Sequence, residues 1–157
     1  MPRDGQDLNN DATIVLPDLL GTTAEAIAPL RALLETAKEC VRGQVVVDGR
    51  VSGAKVEAEQ TAAHGLAWLA TYVEALAQMQ VWAEKLVGDG KFGEVEQLIH
   101  QIAFGEYLWQ IYGGIQMNQG EVVRLQDIGL SQDDARGLMT PEVMTLCEKG
   151  NTQAARL

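Results

Sequence analysis

"AHGLAWLATYVEALAQMQVWAEKLVGDGKFGEVEQLIHQIAFGEYLWQIYGG", residues 63–114, decides the fold. Leu66, Leu69, Val73 and Leu76 recur at steps of three and four, which sets one apolar seam along a helix. Trp68, Tyr72 and Trp82 widen that seam, so a helix here needs cover on two sides. No proline interrupts residues 54–87 and Ser52 is a suitable N-cap, so the spacing predicts one long helix over 54–87. Gly65 is its weak point, costing about 1 kcal/mol relative to Ala unless a neighbour packs closely there. "GDGKFG" (88–93) is a tight connection, so the next helix, 92–112, returns antiparallel. Val95, Leu98, Ile99, Ile102, Leu108, Trp109 and Ile111 supply its apolar faces, and Gly113 is placed to end it in a left-handed conformation.

Outward from this pair the signals are shorter. Residues 1–12 are polar and read as a flexible leader, followed by the apolar segment "TIVLPDLL" (13–20), which packs on the helices. Thr22 and Glu25 fit a capping box, but Pro29 removes an amide hydrogen, so the main part of the first helix is assigned to 29–41 with Leu30, Leu33, Leu34, Ala37 and Val41 inward. Val45–Val47, between glycines, is either a short extended piece or a linker. Residues 114–130 form a loop with turns at Asn118 and Gly120 and an extended "EVV". Ser131 with Asp134, and then Thr140-Pro141-Glu142, open two small helices, and Gly150 stops the second. "NTQAARL" (151–157) carries a cap at Asn151 or Thr152 and then helix formers, reading as the start of a helix that continues into a further region. The expected fold is an all-α antiparallel bundle over 13–150 with two long central helices.

The bulk numbers limit the partners. In 157 residues, 46% are apolar, enough for a packed core in a chain of single-domain size. Twenty-two acidic against twelve basic residues give a net charge of −10, which repels nucleic-acid phosphates and anionic membrane surfaces. The polar N-terminus is no secretory signal, and no run approaches the roughly 18 apolar residues of a bilayer span. Cys40 and Cys147 fit no metal or redox spacing and read as reduced thiols of a cytoplasmic protein.

Chemistry is sparse. Glu96 and His100 lie four apart and Glu59 and His64 five apart, so neither gives the Glu-x-x-His pair of a di-iron bundle. Ser52 and Ser131 are the only serines and both are explained as caps, so no serine nucleophile stands out. Gly88, Gly90 and Gly93 follow a helix and form no dinucleotide fingerprint. Glu74 and Glu106 lie in apolar aromatic stretches, where burial would raise a carboxyl pKa and suit it to acid–base work. The simpler reading, that each bonds a neighbouring Gln or Trp or faces solvent, is preferred. No catalytic, cofactor-binding or metal-binding residue is assigned.

"QIYGGIQMNQGEVVR" (110–124) resembles the C-terminal signature of the acyl-CoA dehydrogenase family, roughly Gln-Ile-(Tyr/Phe)-(Glu/Gly)-Gly-Thr with a Gln/Glu-rich turn and a basic residue. In that family the segment helps bind FAD across a dimer interface, and in many members its Glu is the catalytic base. Gly113 stands where that Glu would be and Ile115 replaces the Thr, so no carboxylate is available there to take a proton. "EAEQTAAHGLAWLATYVEALAQMQVWAEKL" (57–86) and "LIHQIAFGEYLWQIYGGIQMNQGEVVRLQDIGL" (98–130) are similar to the N-terminal helical extension of the methylsuccinyl-CoA dehydrogenase branch of the family. The resemblance implies an intact FAD-dependent parent enzyme in which this portion packs and assembles and the site residues lie downstream of Leu157. The implied partners are the catalytic region of the same chain, further copies of it, and electron-transferring flavoprotein. The alternative is a free-standing helical interaction module, dimeric through Trp68, Tyr72, Trp82 and Trp109.

Overall fold

The computed structural model describes residues 14–157, so the leader assigned to 1–12 lies outside the described residues. The first helix, α1, spans Leu19–Val45, much longer than the 29–41 expected, with Pro29 inside it. A proline in a helix interior costs about 3 kcal/mol. Its neighbours reverse that balance: Ala26 and Leu30 are fully buried and Ile27 nearly so, each large aliphatic contributing about 1.5–3 kcal/mol. Thr22 is thus inside the first turn and no longer a cap, and Thr23 bonds back to the Leu19 carbonyl.

After α1 the Val45–Val47 ambiguity resolves as a hairpin, β1 (Val46–Val47) paired antiparallel with β2 (Arg50–Val51). Its turn residues Asp48 and Gly49 have φ of 49° and 75°, the left-handed pair that matches strand twist in two-residue hairpins. Ser52 then caps as expected, accepting the Lys55 N–H, but it opens only a short helix, α2 (Gly53–Ala58). The chain breaks at Glu59 before α3 (Gln60–Gly88) begins, so the single helix expected over 54–87 is two pieces. None of the residues of α2 is fully buried, and Val56 is its one side chain packed against the core.

The helix α3 has 29 residues, a length of about 43 Å. The helix α4 (Glu94–Gly113) runs back beside it. Tyr72 meets Tyr107 with ring centroids 4.8 Å apart, and Trp82 meets Phe92 at 6.5 Å, so residue numbers rise on one helix as they fall on the other. Trp68, Tyr72 and Trp82 are half-buried in these contacts. Leu69, Val73 and Leu76 of α3, Phe104, Leu108 and Ile111 of α4, and Leu30, Leu33, Ala37 and Val41 of α1 make one core.

The rest of the chain closes that core. A second hairpin, β3 (Ile115–Asn118) with β4 (Glu121–Val123), occupies what the sequence suggested was loop. The short helices α5 (Leu125–Ile128), α6 (Gln132–Leu138) and α7 (Pro141–Lys149) follow. Ser131–Asp134 and Thr140 cap α6 and α7 as the sequence indicated. A Cβ on Gly65 would stand 2.6 Å from a Val123 methyl and 3.0 Å from Ile128, so the glycine admits the hairpin and α5 onto α3. The last residues make a 3-10 turn, Ala154–Arg156, held by the Ala155 N–H on the Thr152 hydroxyl.

Two buried polar groupings tie these elements. The fully buried Gln101 side chain accepts from the Leu16 N–H (2.7 Å) and donates to the carbonyls of Ile14 (3.1 Å) and Gly150 (3.2 Å). The apolar segment before α1 is held on the bundle by this residue. Close by, the Thr23 hydroxyl oxygen lies 2.7 Å from Gln80 Oε1 and 3.0 Å from His100 Nε2, joining α1, α3 and α4.

Candidate functional site

The segment 110–124, singled out by resemblance, turns out to be the joint between α4 and the second hairpin. Gln110 is in the last turns of α4, where its Oε1 accepts from the Tyr72 hydroxyl (2.7 Å) and its amide donates to Glu106 (2.7 Å). Gly113 ends the helix, but the positive-φ residue is Gly114, at 137°. The left-handed cap expected at Gly113 is therefore replaced by an extended, positive-φ glycine one position on, with ψ of 125°. A Cβ at Gly114 would also stand 2.6 Å from a Val122 methyl, so backbone angle and space both require glycine there. Ile115 points into the core at 1% exposure. At the positions where the family resemblance places a carboxylate and a hydroxyl, this chain has no side chain and a core anchor. No carboxylate stands there to take a proton.

The other residues tested for chemistry lie apart. Glu74 and Glu106 are both exposed, not buried in the aromatic stretches around them. Glu74 accepts from Gln78, while Glu106 accepts from Gln110 on one oxygen and from the Asn151 amide (2.6 Å) on the other. His64 is exposed on α3 and accepts the Trp68 indole N–H (3.2 Å). It borders a polar surface hollow of about 520 Å³ with Gln60, Thr61 and Glu121. Cys147 is buried, and burial together with Glu148 pushes its thiol up to about 11, so it stays protonated at neutral pH. Among the described residues no three His, Cys, Asp or Glu side chains group as a metal site, and no helix is long and apolar enough to cross a membrane.

His100 is the most perturbed group. Burial lowers its pKa from the ordinary 6.5 to about 4, against a smaller opposing pull from Glu84. Its Nδ1 has no hydrogen-bond partner and its Nε2 meets Thr23, so the neutral ring with the proton on Nε2 fits the pocket. A second proton would sit on Nδ1 with nothing to receive it. Because the unfolded chain binds that proton between pH 6.5 and 4 and the folded chain does not, stability falls as pH drops through that window. We expect a loss of about 2 kcal/mol between pH 7 and pH 5 from this residue. Urea midpoints of the wild type and His100→Asn at both pH values check this, since the wild type should lose more on acidification. Equal losses would refute the assignment.

Sequence reading passed over Gln80 and Gln101 as structural residues and placed His100 in solvent or at the core edge, where the structure buries it fully. The available signal was their amphipathic misfit: each sits at a position whose helical neighbours are core leucines, alanines or phenylalanine.

The described residues form a mostly helical bundle with two short antiparallel sheets, an architecture consistent with an acyl-CoA dehydrogenase helical domain. No protein-family model matches the chain. Over 142 residues the chain is 51% identical to a (2S)-methylsuccinyl-CoA dehydrogenase of Cereibacter sphaeroides, a match covering 90% of this chain and 25% of that enzyme. The chain is thus related over nearly all its length to an acyl-CoA dehydrogenase, and it spans about a quarter of the length of the relative it matches.

Proposed function

We propose that the chain is the N-terminal helical portion of an FAD-dependent acyl-CoA dehydrogenase acting on (2S)-methylsuccinyl-CoA, with a role in packing and assembly. The 51% identity to the Cereibacter sphaeroides enzyme carries the reading. The intact enzyme would oxidise its thioester to mesaconyl-CoA by removing an α-proton and passing a hydride to FAD. Electron-transferring flavoprotein would then reoxidise the flavin. The assembly would be a cytoplasmic homo-oligomer, with flavin, thioester and base contacts made by other parts of the polypeptide. Supporting that division, Gly113 carries no side chain and Ile115 is committed to the core.

The purified chain is expected to be colourless after incubation with FAD and gel filtration, and to leave FAD fluorescence unchanged in titration. A yellow protein with stoichiometric flavin would overturn the assignment of cofactor binding to other parts. A free-standing interaction module is the second reading, favoured by the exposed Trp109. An open reading frame running on into a flavin-binding region selects the dehydrogenase; a stop codon with no dehydrogenase sequence beside it selects the module.

A further inference from the structure

Among the described residues, much of the outer face of α4 is left uncovered. Val95, Ile99, Ile102, Glu106 and Trp109 follow one another at steps of four, three, four and three, which puts them on one stripe opposite the buried His100, Phe104, Leu108 and Ile111. Val95 is 64% exposed, Ile99 51% and Trp109 46%, and Ile102 is half-covered. Other exposed aliphatics, such as Val51, Val81 and Met144, are scattered singly over other elements.

The one charge in the stripe is already satisfied. Glu106 accepts from Gln110 on Oε1 and from Asn151 on Oε2, so it asks for no ion pair from a partner. The Trp109 indole N–H is likewise taken by the Cys147 carbonyl. What remains to be covered is apolar, and a ridge of this kind normally marks an interface.

We propose that this α4 stripe is the surface on which the catalytic body of the dehydrogenase docks, through an apolar patch of its own. The inference rests on the reading of the chain as part of such an enzyme. Three quarters of the Cereibacter sphaeroides relative lies outside the match, so a large body on the same polypeptide is available to cover the ridge. The path of this chain favours it too. Residues 147–151 border the Trp109 end of the stripe, and the following turn lies against α4, so polypeptide continuing beyond Leu157 starts beside this face. Covalent attachment then supplies a high effective concentration. A second copy of the chain is a poorer occupant, because two bodies of charge −10 repel each other.

The test uses Ile99→Cys in a Cys40→Ser background, in two settings: this chain alone, and the full-length Cereibacter sphaeroides enzyme carrying this chain in place of its matched quarter. Maleimide labelling at position 99 is expected to be at least roughly tenfold slower in the full-length enzyme, because the thiol is reached only when the interface opens. Val51→Cys, on the exposed hairpin, should label equally in both. An active, flavin-loaded enzyme in which position 99 labels as fast as in the isolated chain overturns the docking face and leaves the dehydrogenase reading intact. A full-length enzyme without flavin or activity overturns that reading itself. An isolated chain that sediments as a dimer with position 99 protected replaces the catalytic body by a second copy and also overturns the proposal.

Discussion

Replacing Gly105 by valine should be among the most damaging single changes in this protein, at about 4 kcal/mol and a fall in melting temperature of roughly 10 °C. Gly105 lies where α4 crosses the end of α7. A Cβ there would stand 2.7 Å from the Asn151 nitrogen and 2.9 Å from both the Gly150 carbonyl carbon and the Leu146 oxygen. All three are backbone atoms, which no rotamer change can move aside. On the facing side a Cβ at Gly150 would come within 2.9 Å of the Gly105 Cα, so the two glycines let the backbones touch. A branched residue must part α4 from α7 and open Val143, Leu146 and Cys147 to water. Differential scanning calorimetry measures the effect. Gly137→Val, at a position with nothing within 4 Å of a Cβ, serves as the comparison for lost glycine flexibility alone. Similar melting points for the two variants would show that the close crossing is not a constraint.

Gln101→Leu is the second, with an expected loss of about 3 kcal/mol despite the near-equal volume of the side chains. Leucine leaves the Leu16 N–H and the carbonyls of Ile14 and Gly150 without their partner. The first two can turn to solvent if residues 14–18 leave the bundle, and this local release is the distinctive outcome. We expect proteolysis ahead of α1 to become rapid while the α1–α3–α4 core survives at low temperature. A variant melting within about 2 °C of the wild type, with residues 14–18 still protected, would remove Gln101 from its place as the tie.

Much of this fold is legible because its signals are local. The steps between Leu66, Leu69, Val73 and Leu76 need no knowledge of the partner helix. The hydroxyls of Ser52, Ser131 and Thr140 bond amides three residues on, so a short window contains the whole interaction. The failures have a common physical cause. Pro29 is a local helix breaker overruled by burial of Ala26 and Leu30 against distant helices. The hairpins at 46–51 and 115–123 are too short for strand periodicity to register, although Asp48-Gly49 was a turn signal in plain view. The break at Glu59 sits in a polar run with no proline or glycine. At the candidate site, the missing carboxylate at Gly113 was readable by comparison of motifs, whereas the bond from Asn151 to Glu106 joins residues 45 apart, beyond any local window.

The Gln101 amide also ties the first described residue to the end of α7. The carbonyls of Ile14 and Gly150 accept from the same nitrogen, so the two ends of the bundle meet at one side chain. In mechanical terms this is a clasp: tension drawing the segment before α1 off the bundle would load this hydrogen-bonded knot before it reached the packed helices. The lobe can then be added to or removed from a longer chain with little change in the path of that chain, as is common for domains whose termini lie close together.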